Sequence, residues 1–215
     1  MRAAALTAAV LASAALTSAC GGAGAPPAAA PAWSATVGGT GPDSPSAAPG
    51  QAAGAGAPRP IARSTPVRLL IPSIGVDTAV MQLGLASDGT VQVPPIAANA
   101  PAGWYRGSAT PGQTGPSVIL AHVTVGRYGD GVFLHLSRLR PGDRITARLQ
   151  DGASAVFAVD RVQTVAKAQF PTRAVYGNVD RPELRLITCG GPRSRTGGGY
   201  LDNVVVYASL VSTAG

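Results

Sequence analysis

The sequence is poor in the side chains that most chemistry needs. It holds two cysteines, Cys20 and Cys189, and two histidines, His122 and His135. Their spacing carries no zinc-ligand signature, which argues against a metal site built from His122, His135 and Cys189. Lysine is nearly missing too: of 17 basic residues only Lys167 is a lysine. The arginines stand singly (Arg106, Arg127, Arg138, Arg148, Arg161, Arg173, Arg185) and no nucleic-acid motif accompanies them. The net charge of +7 therefore points to a basic surface suited to an acidic cell envelope, not to a nucleic-acid partner. No run of about 20 strongly apolar residues, the length of a membrane span, is present, and no internal repeat is visible.

Large apolar residues are scarce up to about Arg63, where Ala, Gly, Pro, Ser and Thr dominate. Such a stretch cannot bury enough surface to offset its chain entropy. Within it, Met1-Arg2 followed by Ala3 to Ala19 reads as the charged and apolar regions of an export segment. Small residues before Cys20 and Gly21-Gly22 after it resemble a bacterial lipoprotein processing site, which makes Cys20 a lipidation candidate. An ordinary cleaved signal peptide or an uncleaved anchor remain the other readings. Residues 21–63 read as a disordered, proline-stiffened linker, about 35–40 Å end to end as a random coil of roughly 43 residues. The expected organisation is thus an export segment over 1–20, a linker over 21–63 and one folded domain over 64–215.

The domain reads as β structure. Val67–Ile71 closes on Pro72, Ile74–Val80 continues in a β-favouring register, and Val91–Val93 alternates after the turn residues Ser87-Asp88-Gly89-Thr90. Val118–Val123 is a β-branched run with His122 at its end. Phe133–Leu139 looks like one or two helical turns, placing His135 toward solvent. Arg144–Leu149 and Ala155–Val159 flank Asp151-Gly152 as a hairpin. Leu184–Cys189 and Val204–Ala208 complete the set. Seven or eight short strands separated by turns predict an all-β, closed barrel.

If Cys20 is processed or lipidated, Cys189 is left as a lone thiol at a strand end, followed by Gly190-Gly191. A buried inert cysteine is the plain alternative, weakened by export to an oxidising compartment, where an unused thiol is a liability. His122 ends another strand. A Cys and a His brought together from two strands make a nucleophile with its proton handler, the imidazolium favouring the thiolate. A satisfied structural histidine is the competing reading.

The Leu186-Ile187-Thr188-Cys189 segment resembles the Thr-Leu-x-Thr-Cys ending of the sortase active-site strand, and Ile119-Leu120-Ala121-His122-Val123 is similar to the strand presenting the sortase histidine. Further landmarks fall in order: Pro72-Ser73-Ile74-Gly75-Val76, Asp88-Gly89, Val93-Pro94, Ala102-Gly103-Trp104-Tyr105, Pro111-Gly112 and Pro141-Gly142-Asp143. The likeness spans roughly Pro66 to Leu210, and Tyr200–Ala208 looks most like the actinobacterial class F branch. The resemblance implies an eight-stranded sortase-type barrel with short helices and a cysteine transpeptidase needing no cofactor or metal. Cys189 would attack the Thr–Gly bond of a Leu-Pro-x-Thr-Gly-like sorting signal. The thioester would pass to an amine from a cell-wall precursor or a protein lysine, with His122 as acid and base. The implied location is the extracellular face of the membrane, tethered by the N-terminus. The partners are surface proteins bearing the signal.

Sortases carry an arginine near the start of the last strand as substrate-carbonyl donor; here that place falls on or beside Asn203. Arg193 and Arg195, in the loop after Cys189, are the charged alternatives. Arg193 is slightly preferred for its permanent charge, Asn203 for its register. Two rivals follow: a non-catalytic, sortase-like envelope-binding lipoprotein, and a cysteine hydrolase.

Overall fold

A computed structural model describes residues 58–197 and 199–215. The export segment, Cys20 and all of the linker but its last residues lie outside the described residues. Eight strands form a closed barrel: β1 (Pro66–Ile71), β2 (Val76–Leu83), β3 (Ala102–Tyr105), β4 (Gly115–Leu120), β5 (Arg144–Leu149), β6 (Ser154–Ala166), β7 (Pro182–Arg193) and β8 (Tyr200–Ala214). They are ordered β1-β2-β3-β4-β7-β8-β6-β5, and β5 returns to β1. Two pairs, β2 with β3 and β4 with β7, are parallel; the others are antiparallel. One short helix, α1 (Thr172–Tyr176), lies in the connection from β6 to β7.

Strand alternation explains closure. Residues of one parity, among them Leu69, Ile119, Ile145, Phe157, Leu184, Leu186 and Val206, fill the interior and are joined there by Trp104, Phe133 and Leu136. Each such side chain contributes about 1.5–3 kcal/mol by leaving water. The opposite parity on β4, β7 and β8 is also covered, by a second cluster of Val118, Leu120, Ile187, Val205 and Tyr207 under Val175 of α1. Strands buried on both faces lose the polar alternation of a half-exposed sheet, and β7 is buried without a break from Pro182 to Thr188.

The expected β1, β5, β7 and β8 are present, with longer bounds for β7 and β8. Two expectations need correction. Val91–Val93 forms no strand; Val91 makes a single bridge to Leu85. The Ala86–Thr90 turn and the Gln92-to-Gly84 hydrogen bonds fold it into a compact loop, and Pro94-Pro95 removes two backbone donors. The Phe133–Leu139 run supplies one helical turn, the 3-10 turn Leu136–Arg138, within the expected one or two. His135, just before that turn, is half-buried.

Candidate active site

On β4, β7 and β8 the outward parity stacks into rows across three adjacent strands. Pro116, Glu183 and Ser209 share one row; Val118, Arg185 and Tyr207 the next; Leu120, Ile187 and Val205 the third. β4 ends at Leu120, but the pairing continues: Ala121 N–H donates 3.2 Å to the Ile187 carbonyl, and Thr188 Oγ1 donates 2.8 Å to the Ala121 carbonyl. His122 follows directly on Ala121 and Cys189 on Thr188, and Cys189 is paired with Asn203 of β8. His122, Cys189 and Asn203 therefore stand at the same end of these strands, and all three line one groove.

Cys189 carries a free, half-buried thiol. His122 Nε2 lies 2.7 Å from the Pro94 carbonyl oxygen. A carbonyl only accepts, so Nε2 holds the hydrogen in this contact and Nδ1 is the ring's other nitrogen. Behind the ring the chain is pinned: Phe133 N–H donates 3.0 Å to the His122 carbonyl and Gly131 N–H donates 3.0 Å to that of Val123. Gly131 passes so close that a Cβ there would overlap the His122 carbonyl. After the thiol, a Cβ on Gly190 would press on Val204, and Gly191 stands at φ +69° against Asp202. Both glycines are demanded by this close passage.

The groove encloses about 1210 Å³, above the roughly 300–1,000 Å³ of a small-molecule site and suited to an extended peptide. Its floor is Val118, Leu120 and Ile187; its walls are Leu85 to Pro94 on one side and Phe170, Thr172, Tyr176 and Asn178 on the other. No carboxylate occurs among the described residues lining it, and Arg63 is the one permanent charge there.

The structure brings Asn203 to the groove and leaves Arg193 and Arg195 out of its lining. Arg193 Nη2 is 3.2 Å from Thr124 Oγ1 and 3.1 Å from the Tyr200 hydroxyl, and its guanidinium lies 4.6 Å from the Tyr200 ring centre. That hydrogen bond from Arg193, then one with Thr124, holds the Tyr200 phenol below its ordinary range. His135 is not among the lining residues. Sequence reasoning did not find the Pro94 carbonyl or Gly131. Pro94 is joined to His122 by a backbone atom 28 positions away, which leaves no side-chain signal.

The closed, mixed β-barrel thus brings a free cysteine, a histidine and an asparagine to the lining of one groove. A family model described as "Sortase domain" matches residues 69–211, and the chain belongs to that family. Among solved structures it is similar to Listeria monocytogenes sortase A, with 19% identity over 69% of this chain and 89% of that one, at a TM-score of 0.51. Sortase A from Corynebacterium diphtheriae shows 21% identity over 70% and 62% of the two chains, TM-score 0.51. Sortase C-1 from Actinomyces oris shows 22% identity over 67% and 72%, TM-score 0.50. At such identities the likeness speaks for the fold. No curated protein sequence matches significantly.

Proposed function

We propose that this chain is a sortase-type cysteine transpeptidase with Cys189 as nucleophile and His122 as acid and base. The observation that carries the reading is that His122, Cys189 and Asn203 line one groove, with Cys189 and Asn203 paired across two strands. The groove takes the apolar stretch of a Leu-Pro-x-Thr-Gly-like sorting signal, for which uncharged walls and the floor of Val118, Leu120 and Ile187 are suited. Cys189 gives its thiol proton to His122, and the resulting thiolate adds to the threonine carbonyl. The tetrahedral intermediate collapses as the C–N bond breaks, and His122 gives its proton to the departing glycine amine, leaving a thioester. An amine, from a cell-wall precursor or a protein lysine, then loses a proton to His122 and attacks. The new amide forms and the Cys189 sulfur departs. With Nε2 held by Pro94, Nδ1 is the nitrogen that exchanges protons.

The Tyr200–Ala208 sequence supports placement in the class F branch. The export segment and the Cys20 site support a location on the outer face of the cell membrane, tethered by the N-terminus, facing signal-bearing surface proteins. The test is to incubate the intact chain with sorting-signal peptides and an amine, and to seek the acyl-enzyme mass on Cys189. Cys189→Ala and His122→Ala should each abolish turnover with the fold retained, since the pair acts as one unit. More than a few per cent residual activity in Cys189→Ala would overturn the mechanism.

A further inference from the structure

In the same row as Val118 of the groove floor lies a charge the mechanism does not use. Arg185 is only 4% exposed, and its neighbour along the strand, Glu183, 5%. Their side chains pair directly, Arg181 adds a second contact to Glu183 from the surface at 2.5 Å, and the Arg185 guanidinium lies 4.7 Å from the Tyr207 ring centre. A buried ion pair is a poor route to stability, because desolvation consumes its attraction; apolar replacement is often neutral or better. Its presence asks for another explanation.

The remaining donors supply it. Arg185 Nη1 reaches the carbonyl of Leu184, and Nε donates 3.3 Å to the carbonyl of Ala174. Ala174 sits in the middle of α1, a five-residue helix with no side-chain cap. A helix that short cannot hold itself. It is fixed by Val175, buried in the outer cluster, and by Arg185 from beneath. Thr172 and Tyr176 of this helix, with Phe170 and Asn178 beside it, form one groove wall, and Tyr176 meets Tyr105 edge-on at 6.3 Å.

We infer that Arg185 is a positioning residue that fastens the α1 wall of the groove, so that the Glu183–Arg185 pair sets peptide affinity and leaves the thiol chemistry untouched. This rests on the transpeptidase reading for the identity of the peptide. Arginine is required because one planar group must satisfy Glu183 and two carbonyls at once; lysine keeps the charge but not the fork.

The test uses the intact chain carrying R185K, and separately E183L/R185M, which removes both charges together. For each, a Leu-Pro-x-Thr-Gly-type peptide is titrated in the C189A background, amide exchange is followed over residues 172–177, and Cys189 alkylation by iodoacetamide is timed in the thiol-bearing form. R185K should weaken peptide binding about tenfold, the scale of one lost charge-assisted hydrogen bond. It should speed exchange over 172–177 and leave the alkylation rate unchanged. In turnover the loss should fall on KM with kcat retained. E183L/R185M should behave alike at near-parental stability; should it fail to fold, R185K decides. Parental peptide affinity and exchange in R185K overturn the assignment, as does a fall in kcat and alkylation with KM constant. If R185K is itself unfolded, the pair is structural and the assignment falls. A parent that binds the peptide but forms no acyl-enzyme overturns the transpeptidase reading and leaves the wall assignment standing.

Discussion

The hydroxyl of Thr188 donates a 2.8 Å hydrogen bond to the carbonyl of Ala121, tying together the residues immediately before Cys189 and His122. Thr188 is buried, so a nonpolar replacement leaves the Ala121 carbonyl unpaired, at a cost of about 1–3 kcal/mol. Thr188→Val is therefore expected to lower stability by that amount in denaturant titrations. It should reduce kcat/KM at least tenfold, since an ångström of misplacement at a reacting pair is felt strongly. Thr188→Ser retains the donor and should recover most of both. A Thr188→Val enzyme with parental kinetics would show that the two strands are aligned by other contacts.

Gly131 is expected to be as demanding as the histidine it supports. An added Cβ would overlap the His122 carbonyl oxygen and crowd Val123, so Gly131→Ala must shift the segment whose Phe133 N–H holds His122. Overpacking of this kind costs about 1–3 kcal/mol. The catalytic loss should be larger, about a hundredfold. Full activity in Gly131→Ala would mean the loop can move away without disturbing the ring.

Much of this was legible in the residues. The barrel followed from short alternating strands, and the candidates His122 and Cys189 from two runs, Val118–Val123 and Leu184–Cys189, that carry them at or near their ends. What stayed hidden depends on non-local geometry. Parallel pairing of β4 with β7 is what makes His122 and Cys189 neighbours, and strand composition says nothing about direction. Ala102–Tyr105 is too short and too glycine-bearing to announce a strand, yet it pairs with both β2 and β4. The α1 wall is five residues whose position comes from Arg185 beneath them, not from helix propensity.

The start of the folded unit can be tested by truncation. A boundary at Ser64 removes Ile61, whose N–H donates 3.0 Å to the Gly112 carbonyl and whose side chain packs against the inner core. Gly112 stands at φ +93° with Ile61 directly over it. Residues 58–215 and 64–215 should both fold, the shorter one less stable by about 1–2 kcal/mol for a partly buried isoleucine. Thermal and denaturant unfolding of the two fragments checks this; equal stabilities would place the boundary at Ser64.

The carbonyl donor is the last question, and location favours Asn203. It is paired across the strands with Cys189 and lines the groove, whereas Arg193 is engaged by Thr124 and Tyr200. Removing one oxyanion donor typically costs about 10²–10³ in rate. Asn203→Ala is therefore expected to lose that much, chiefly in kcat, because the donor matters most as charge builds on the oxygen. Arg193→Ala should lose far less. It should instead raise the Tyr200 phenol toward the ordinary tyrosine range, because the largest influence holding it down is the Arg193 hydrogen bond. A spectrophotometric titration of tyrosinate in the two forms reads this directly. If Arg193→Ala shows the large kcat loss and Asn203→Ala does not, the arginine must leave Tyr200 when substrate binds. If neither does, the backbone N–H groups around Gly190-Gly191 hold the oxyanion.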